Sequence, residues 1–389
     1  MVFFMNIRHL PSVFFLWLSI SLLSLGGCAQ WRPTTQDSVK PASTGDACEP
    51  GVINLNRVTG LSQIIPELKK ARAVVVGESH TYYHHHLAQL EVIKRLAAEN
   101  PHLAIGLEMF QQPFQPFLDE YIAGDMDETT LLEKTEYFKR WKYDYRLYAP
   151  ILRYAREHRI PLIALNIDRD ITTRAGEVGI GALNDRDKSH IPAHMDRDVP
   201  GYEERIHPIF DQHAGSSKRS FEHFMDVQLL WDEGMAERAA EYLNQHPESA
   251  MVILAGAGHV AYRTGIPARL QRRIPGKIVT ILSSDGIKLE PGVSDYVMFP
   301  AEKQLPKAGM MGIFLEQKDQ SVAAVGFSDE SSGKQAGIKK GDRFDRINGR
   351  KIREIADIRL AMWNRKPGDV VDVTVLRKGK PISVKVTLK

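Results

Sequence analysis

The residues best suited to chemistry crowd into one stretch, Val74-Val75-Val76-Gly77-Glu78-Ser79-His80-Thr81-Tyr82-Tyr83-His84-His85-His86, with four histidines, two tyrosines and a glutamate. Carboxylate, imidazole and phenol are the donors that hold divalent metals, ligate porphyrin iron or shuttle protons. Two more donors follow apolar runs elsewhere: Glu108 in Gly106-Leu107-Glu108-Met109 and His259 in Ala255-Gly256-Ala257-Gly258-His259. The small residues before His259 allow a ligand close to the backbone. Read as a unit, Glu78, His80, Glu108 and His259 would hold a divalent metal or act as general acid and base in hydrolysis. No HExxH and no paired CxxC strengthens the metal reading.

These residues are useful only if the fold brings them together. Short apolar runs at Ala73–Gly77, Leu103–Glu108, Leu162–Asn166, Met251–Ala255 and Ile278–Leu282, and a weaker one at Tyr296–Phe299, read as strands. Helical patterns lie between them, at His84–Glu99, Tyr145–His158 and Phe224–Gln245. Alternation of this kind predicts an α/β fold, a layered domain with a mainly parallel sheet flanked by helices. Ligands then bind outside the carboxyl ends of the strands, where Glu78, His80, Glu108, Asn166, Asp168, Arg169 and His259 all fall.

Helical spacing after His80 puts Tyr83, His86, Leu87, Leu90 and Ile93 on one inward face. His84 then runs with Ala88, Glu91 and Arg95 toward solvent. On this reading the triple histidine is not a three-ligand cluster; His86 matters, and His84 and His85 are exposed bystanders. Aromatic residues gather again at Trp141, Tyr143, Tyr145 and Tyr148, and a stripe of Phe224, Gln228, Trp231, Met235 and Tyr242 reads as core. Gln228 on that stripe calls for a buried partner. The stretch from Asp185 to Ser220, with His190, His194, His207 and His213, reads as an excursion over the pocket or a long solvated insertion.

At 389 residues the chain is long enough for two or three domains. A hydrophobic content of 43% with 25% charged residues is that of a globular protein, and the net charge of +3 gives no sign of nucleic-acid binding. The charge is uneven: residues 309–389 hold 17 Lys and Arg against 10 Asp and Glu. Residues 1–27 read as a signal peptide, with Arg8 ahead of the short apolar core Val13 to Leu25. Leu25-Gly26-Gly27-Cys28 resembles a bacterial lipobox, which implies cleavage before Cys28 and lipidation there. Only Cys48 then remains, so no internal disulfide is expected. Ala29 stands where an aspartate would signal inner-membrane retention, so the expected location is the outer membrane, facing the periplasm or the surface. Residues 28–50 read as a flexible tether.

Gly77-Glu78-Ser79-His80, His86-Leu87-Ala88-Gln89-Leu90, Gly106-Leu107-Glu108-Met109-Phe110 and Ala255-Gly256-Ala257-Gly258-His259-Val260 together resemble the ChaN-type haem-binding lipoprotein family. That family shares a superfamily with the Tiki proteases and erythromycin esterases, and the likeness covers most of residues 51–300. It implies haem uptake linked to iron, with haem held between two protomers through a tyrosine. Tyr82, Tyr83 and Tyr145 are the candidate ligands and His86 an assisting one. His80, Glu108 and His259 complete the expected haem-binding set. Arg146 or Arg169 would meet the propionates.

Residues 301–308 read as a linker. Beyond them, Gly309-Met310-Met311-Gly312-Ile313-Phe314 and Ala336-Gly337-Ile338-Lys339-Lys340-Gly341-Asp342 through Ile347-Asn348-Gly349 resemble an HtrA-type PDZ domain over residues 309–389. This implies a small β-rich module that binds peptide C-termini by strand addition. The backbone amides of Met311, Gly312 and Ile313 would take the carboxylate, with Ile358 and Met362 lining the pocket. The expected function is therefore an outer-membrane lipoprotein that binds haem and recruits a peptide or protein partner. The alternatives are a metal-dependent hydrolase using Glu78, His80, Glu108 and His259, and a scaffold whose α/β site is vestigial.

Overall fold

The computed structural model describes residues 57–214 and 220–389. The leader, Cys28 and the tether lie outside the described residues. The first sheet contains β1 (Ala71–Glu78), β2 (Leu103–Gln111), β3 (Leu162–Asn166), β4 (Ala250–Gly256), β5 (Lys277–Ser283) and β6 (Tyr296–Met298). They lie in the order β3-β2-β4-β1-β5-β6, and every pairing is parallel. The α/β reading is correct, and each apolar run is a strand because both faces of the sheet are covered. Val74 and Val76 face one apolar layer with Ile105, Leu107 and Leu254. Ala73 and Val75 face the other, with Met251, Ile253 and Met235 of the long helix Phe221–Gln245.

Of the stripe expected as core in that long helix, Met235 is fully buried, and the rest is only partly so. Phe224, Gln228, Trp231 and Tyr242 are only half-buried, whereas Met225, Leu229, Asp232, Glu233 and Ala236 are buried. The helix is covered on more than one side. The sheet takes one flank, and the helix Tyr202–Ala214 takes another through Tyr202 and Ile206. The stretch from Asp185 to Ser220 is therefore not a plain solvated insertion. Its described part carries short helices and inserts Tyr202 into the core, leaving His190, His194 and His207 exposed.

The second sheet is antiparallel: β7 (Ile313–Lys318), β8 (Ser321–Phe327), β9 (Arg343–Ile347), β10 (Arg350–Lys351), β11 (Val370–Arg377) and β12 (Lys380–Thr387). Its order is β12-β11-β9-β8-β7, with β10 on β9, so β7 is an edge strand. The helix Ile355–Met362 begins in a capping box between Glu354 and Asp357. One of its faces, Ile355, Ile358 and Met362, packs into the β-rich core. The other, Ala356 and Leu360 with Trp363 just beyond, joins the core of the α/β domain. No described helix is long and apolar enough to cross a membrane.

Candidate functional site

β1, β4 and β2 lie side by side, and their carboxyl ends bring Glu78, His80, Glu108 and His259 together. β2 is not the direct neighbour of β1, since β4 intervenes, so Glu108 and His80 must meet across the end of β4. Gly256 makes that possible. A Cβ there would sit 2.9 Å from His80 Cε1 and 3.7 Å from Glu108 Oε2. Its amide instead donates to Glu108 Oε2 at 2.6 Å. Between the pairs Leu107–Ala164 and Gln111–Asn166 the register of β2 on β3 shifts, so Glu108 sits on an irregular, re-aimed piece of strand. Asn166 holds that piece by donating from Nδ2 to the Glu108 carbonyl at 3.1 Å.

His259 is the more enclosed of the two histidines. Its Nδ1 is 2.7 Å from Asp232 Oδ1, and its Nε2 is 3.4 Å from Glu108 Oε1. Tyr202 donates its hydroxyl to the second oxygen of Asp232 at 2.7 Å. Burial by itself disfavours the imidazolium, but the two carboxylates overcome it and raise the His259 pKa to about 10. Burial likewise pushes the Glu108 carboxyl up, and the His259 cation reverses this to leave it at about 2. Each ring nitrogen of His259 thus faces a carboxylate oxygen. The three residues whose donor atoms converge closely enough for one ion are Glu78, His80 and Glu108, with His259 standing behind Glu108. Asp232 and Tyr202 were missed from sequence. The one visible signal was an Asp232-Glu233 pair within an otherwise apolar part of a helix.

His80 is different. Its Nδ1 is 2.5 Å from Glu78 Oε1, and its ring rests between Trp141, at 4.9 Å, and Tyr143, at 4.8 Å. Its Nε2 makes no hydrogen bond among the described residues. Burial works against its charged form, but the bond to Glu78 and the nearby Glu108 raise its pKa. The Glu78 carboxylate is buried, and its Oε2 has no hydrogen-bond partner. One donor atom each from Glu78, His80 and Glu108 lies within 4.8 Å of the others, a set able to hold a metal ion.

The triple histidine divides between two tasks, and neither matches an exposed bystander. His84 and His85 are buried, with their Nε2 atoms 3.1 and 3.2 Å from Asp285 Oδ2. The Asp285-Gly286 turn after β5 covers what helical periodicity alone marks as the outer face. His86 is buried as expected, but its nitrogens are engaged by Gln89 Oε1 at 3.1 Å and the His80 carbonyl at 3.2 Å. It fixes the His80 backbone, and no nitrogen remains for a ligand.

The candidate tyrosines also separate. Tyr145 is fully buried, donates to Glu128 at 3.0 Å, and stacks edge-on against Trp363. Burial lifts its phenol well above the usual range, which opposes a phenolate there. Tyr83 is half-buried against the helical layer. Tyr82 is 42% exposed, lies on His84 with ring centroids 5.4 Å apart, and its hydroxyl bonds to none of the described residues. Arg146 is taken by Asp144 and the Pro306 carbonyl, and Arg169 donates to the Lys139 carbonyl at 2.7 Å.

In the β-rich module Gly312 adopts φ +65°, and its carbonyl and that of Met311 are tied back by Ser328, Ser331 and Gly333. The amides of Met311 and Gly312 donate to no described residue. A turn with its carbonyls occupied and consecutive N–H groups unspent is an anion-binding nest. Ile358 is buried and Met362 half-buried on the helix beside it.

Fold and site thus define a two-part class: a parallel α/β domain with a carboxylate–imidazole cluster at its strand ends, joined to a PDZ module. The chain belongs to the family described as "Haem-binding uptake, Tiki superfamily, ChaN", whose model matches residues 64–270. A PDZ-domain model matches residues 309–388. The structure described as cofacial heme binding to ChaN of Campylobacter jejuni shares the α/β fold. It has a TM-score of 0.51 and 20% identity, over 61% of this chain and 91% of that one. Protein RETICULATA-RELATED 5, chloroplastic, of Arabidopsis thaliana is 24% identical over 269 residues, 61% of this chain but 35% of the plant protein. The serine endoprotease DegQ of Escherichia coli is 24% identical over 177 residues, 45% of this chain and 37% of its own length. The chain thus spans little more than a third of either curated relative.

Proposed function

We propose that the chain is a lipid-anchored haem-binding protein of the outer membrane that serves haem and iron acquisition and recruits a protein partner through its PDZ module. The observation carrying the haem reading is Tyr82: an exposed phenol whose hydroxyl bonds to none of the described residues, two residues from His80, whose Nε2 likewise bonds to none of them. Ferric haem takes an axial phenolate or imidazole and an aromatic-lined surface, and Trp141 and Tyr143 supply the latter beside His80. Family membership supports the same cargo. Two copies sharing haem would form a homodimer, and Cys28 would carry the lipid.

Titration of the purified protein with ferric haemin tests this reading. A saturable Soret shift is expected, weakened by at least about tenfold, ~1.4 kcal/mol, in Tyr82→Phe. Absence of saturable binding contradicts it.

A second reading is favoured by the orphaned Glu78 Oε2: a divalent cation held by Glu78, His80 and Glu108, with hydrolysis as its chemistry. The metal would supply a Lewis acid, while His259 would orient Glu108 from behind. Calorimetric titration with Zn²⁺ or Mn²⁺ distinguishes the readings, with one equivalent bound by the wild type and none by Glu78→Gln expected only here.

A further inference from the structure

We propose that the PDZ module regulates the His80 site. A peptide held by its terminal carboxylate between β7 and the helix Ile355–Met362 repositions the segment carrying Trp141 and Tyr143, and so changes haem affinity. The inference rests on the haem reading above and adds its control.

The helix Ile355–Met362 has two working faces. Ile355, Ile358 and Met362 belong to the PDZ core beside the groove, and Gln317 of β7 closes one end by accepting from the Ile355 amide at 2.9 Å. The opposite face is bound to the α/β domain. Leu360 and Trp363 are part of that domain's apolar core, Trp363 Nε1 is 3.3 Å from Thr129 Oγ1, and its ring meets Tyr145 edge-on at 5.3 Å. Arg359 donates from a guanidinium nitrogen to the Lys142 carbonyl at 2.7 Å. Lys142 stands between Trp141 and Tyr143, the two rings that flank His80, and has φ +73°.

One short rigid helix therefore touches the peptide groove with one side and grips the segment over His80 with the other. A carboxyl-terminal peptide is the occupant the site selects. The edge of β7 offers strand addition, and the unspent amides of Met311 and Gly312 offer a place for a carboxylate. Any adjustment of the helix on binding is passed to Lys142 through Arg359, while Trp363 holds the helix end to Thr129 and Tyr145 of the same domain. Coupling between binding sites is reciprocal, so haem must alter peptide affinity by the same factor.

The test uses the full chain, ferric haemin and a decapeptide selected from a random library for binding that needs a free C-terminal carboxylate. Haemin affinity is measured with and without saturating peptide, and peptide affinity with and without haemin. Coupling predicts equal shifts in both, between about 5- and 150-fold, and none with the C-amidated peptide. Arg359→Ala, which removes one exposed hydrogen bond, should retain both affinities and lose most of their interdependence. Trp363→Phe, which keeps the packing but removes the bond to Thr129, should show a smaller loss. Binding of both ligands with unchanged affinities overturns the coupling while leaving the haem reading intact. A library without any carboxylate-dependent binder also overturns it. Failure to bind haemin alone overturns the haem reading itself and this control with it.

Discussion

Glu108 lies between two histidines that the fold treats in opposite ways. On the inner side, His259 is clasped by Asp232 and Glu108 and backed by Tyr202, with a carboxylate oxygen facing each ring nitrogen. On the outer side, His80 commits one nitrogen to Glu78, and the other bonds to none of the described residues beside solvent-facing aromatics. A buried imidazolium between carboxylates is a structural device, strongly held because removing one partner strands the other charges. A half-exposed imidazole with a spare lone pair or proton is a ligand-binding device. The same residue type at neighbouring strand ends thus does two jobs, decided by how many partners the fold supplies.

The largest consequence of this contrast is in stability. His259→Gln should cost ~3–5 kcal/mol by leaving two buried carboxylates face to face, and His80→Ala less, about 1–3 kcal/mol, because it strands the buried Glu78 carboxylate alone. Thermal or urea unfolding of the two variants measures the difference, and equal losses would erase the distinction. Next comes pH. The His259 pKa is raised in the fold to about 10, above an ordinary unfolded value near 6.5. Its contribution is therefore fully present below about pH 6.5 and lost as pH rises through about 10. Unfolding free energy should fall across that window in wild type and much less steeply in His259→Gln.

Gly256→Ala comes third. The added methyl reaches within 2.9 Å of His80 Cε1, so His80 must shift. A stability loss of ~1–3 kcal/mol is expected, together with weaker haemin binding, read by unfolding and by Soret titration. The smallest effect belongs to the domain boundary. Arg350 meets Glu133 with two bonds, of 2.8 and 3.1 Å, but in a solvent-exposed position. Arg350→Ala should cost no more than about 1 kcal/mol, measured in low and high salt, with high salt reducing even that.

The strand-end residues of the site, His259 included, were legible in the sequence, and the helix residues behind His259 were not. Glu78, His80 and Glu108 follow apolar runs directly, so a parallel sheet is enough to bring them to one edge. Asp232 and Tyr202 come from the sides of helices, and their direction depends on which neighbours cover those helices. The same limit explains His84 and His85. Periodicity counts one buried face, whereas the Asp285 turn adds a second, and two histidines expected in solvent became its partners. Tyr145 was attractive because it stands among aromatics, but its phenol points to Glu128 and its ring to Trp363 of the PDZ module. Nothing in the spacing showed that the two domains would share that contact.

The most direct measurement of the haem assignment is the resonance Raman spectrum of the full chain loaded with ferric haemin. The account predicts iron–phenolate modes that vanish in Tyr82→Phe and persist in Tyr145→Phe. Modes that survive Tyr82→Phe, or a spectrum with no phenolate signature at all, would contradict it.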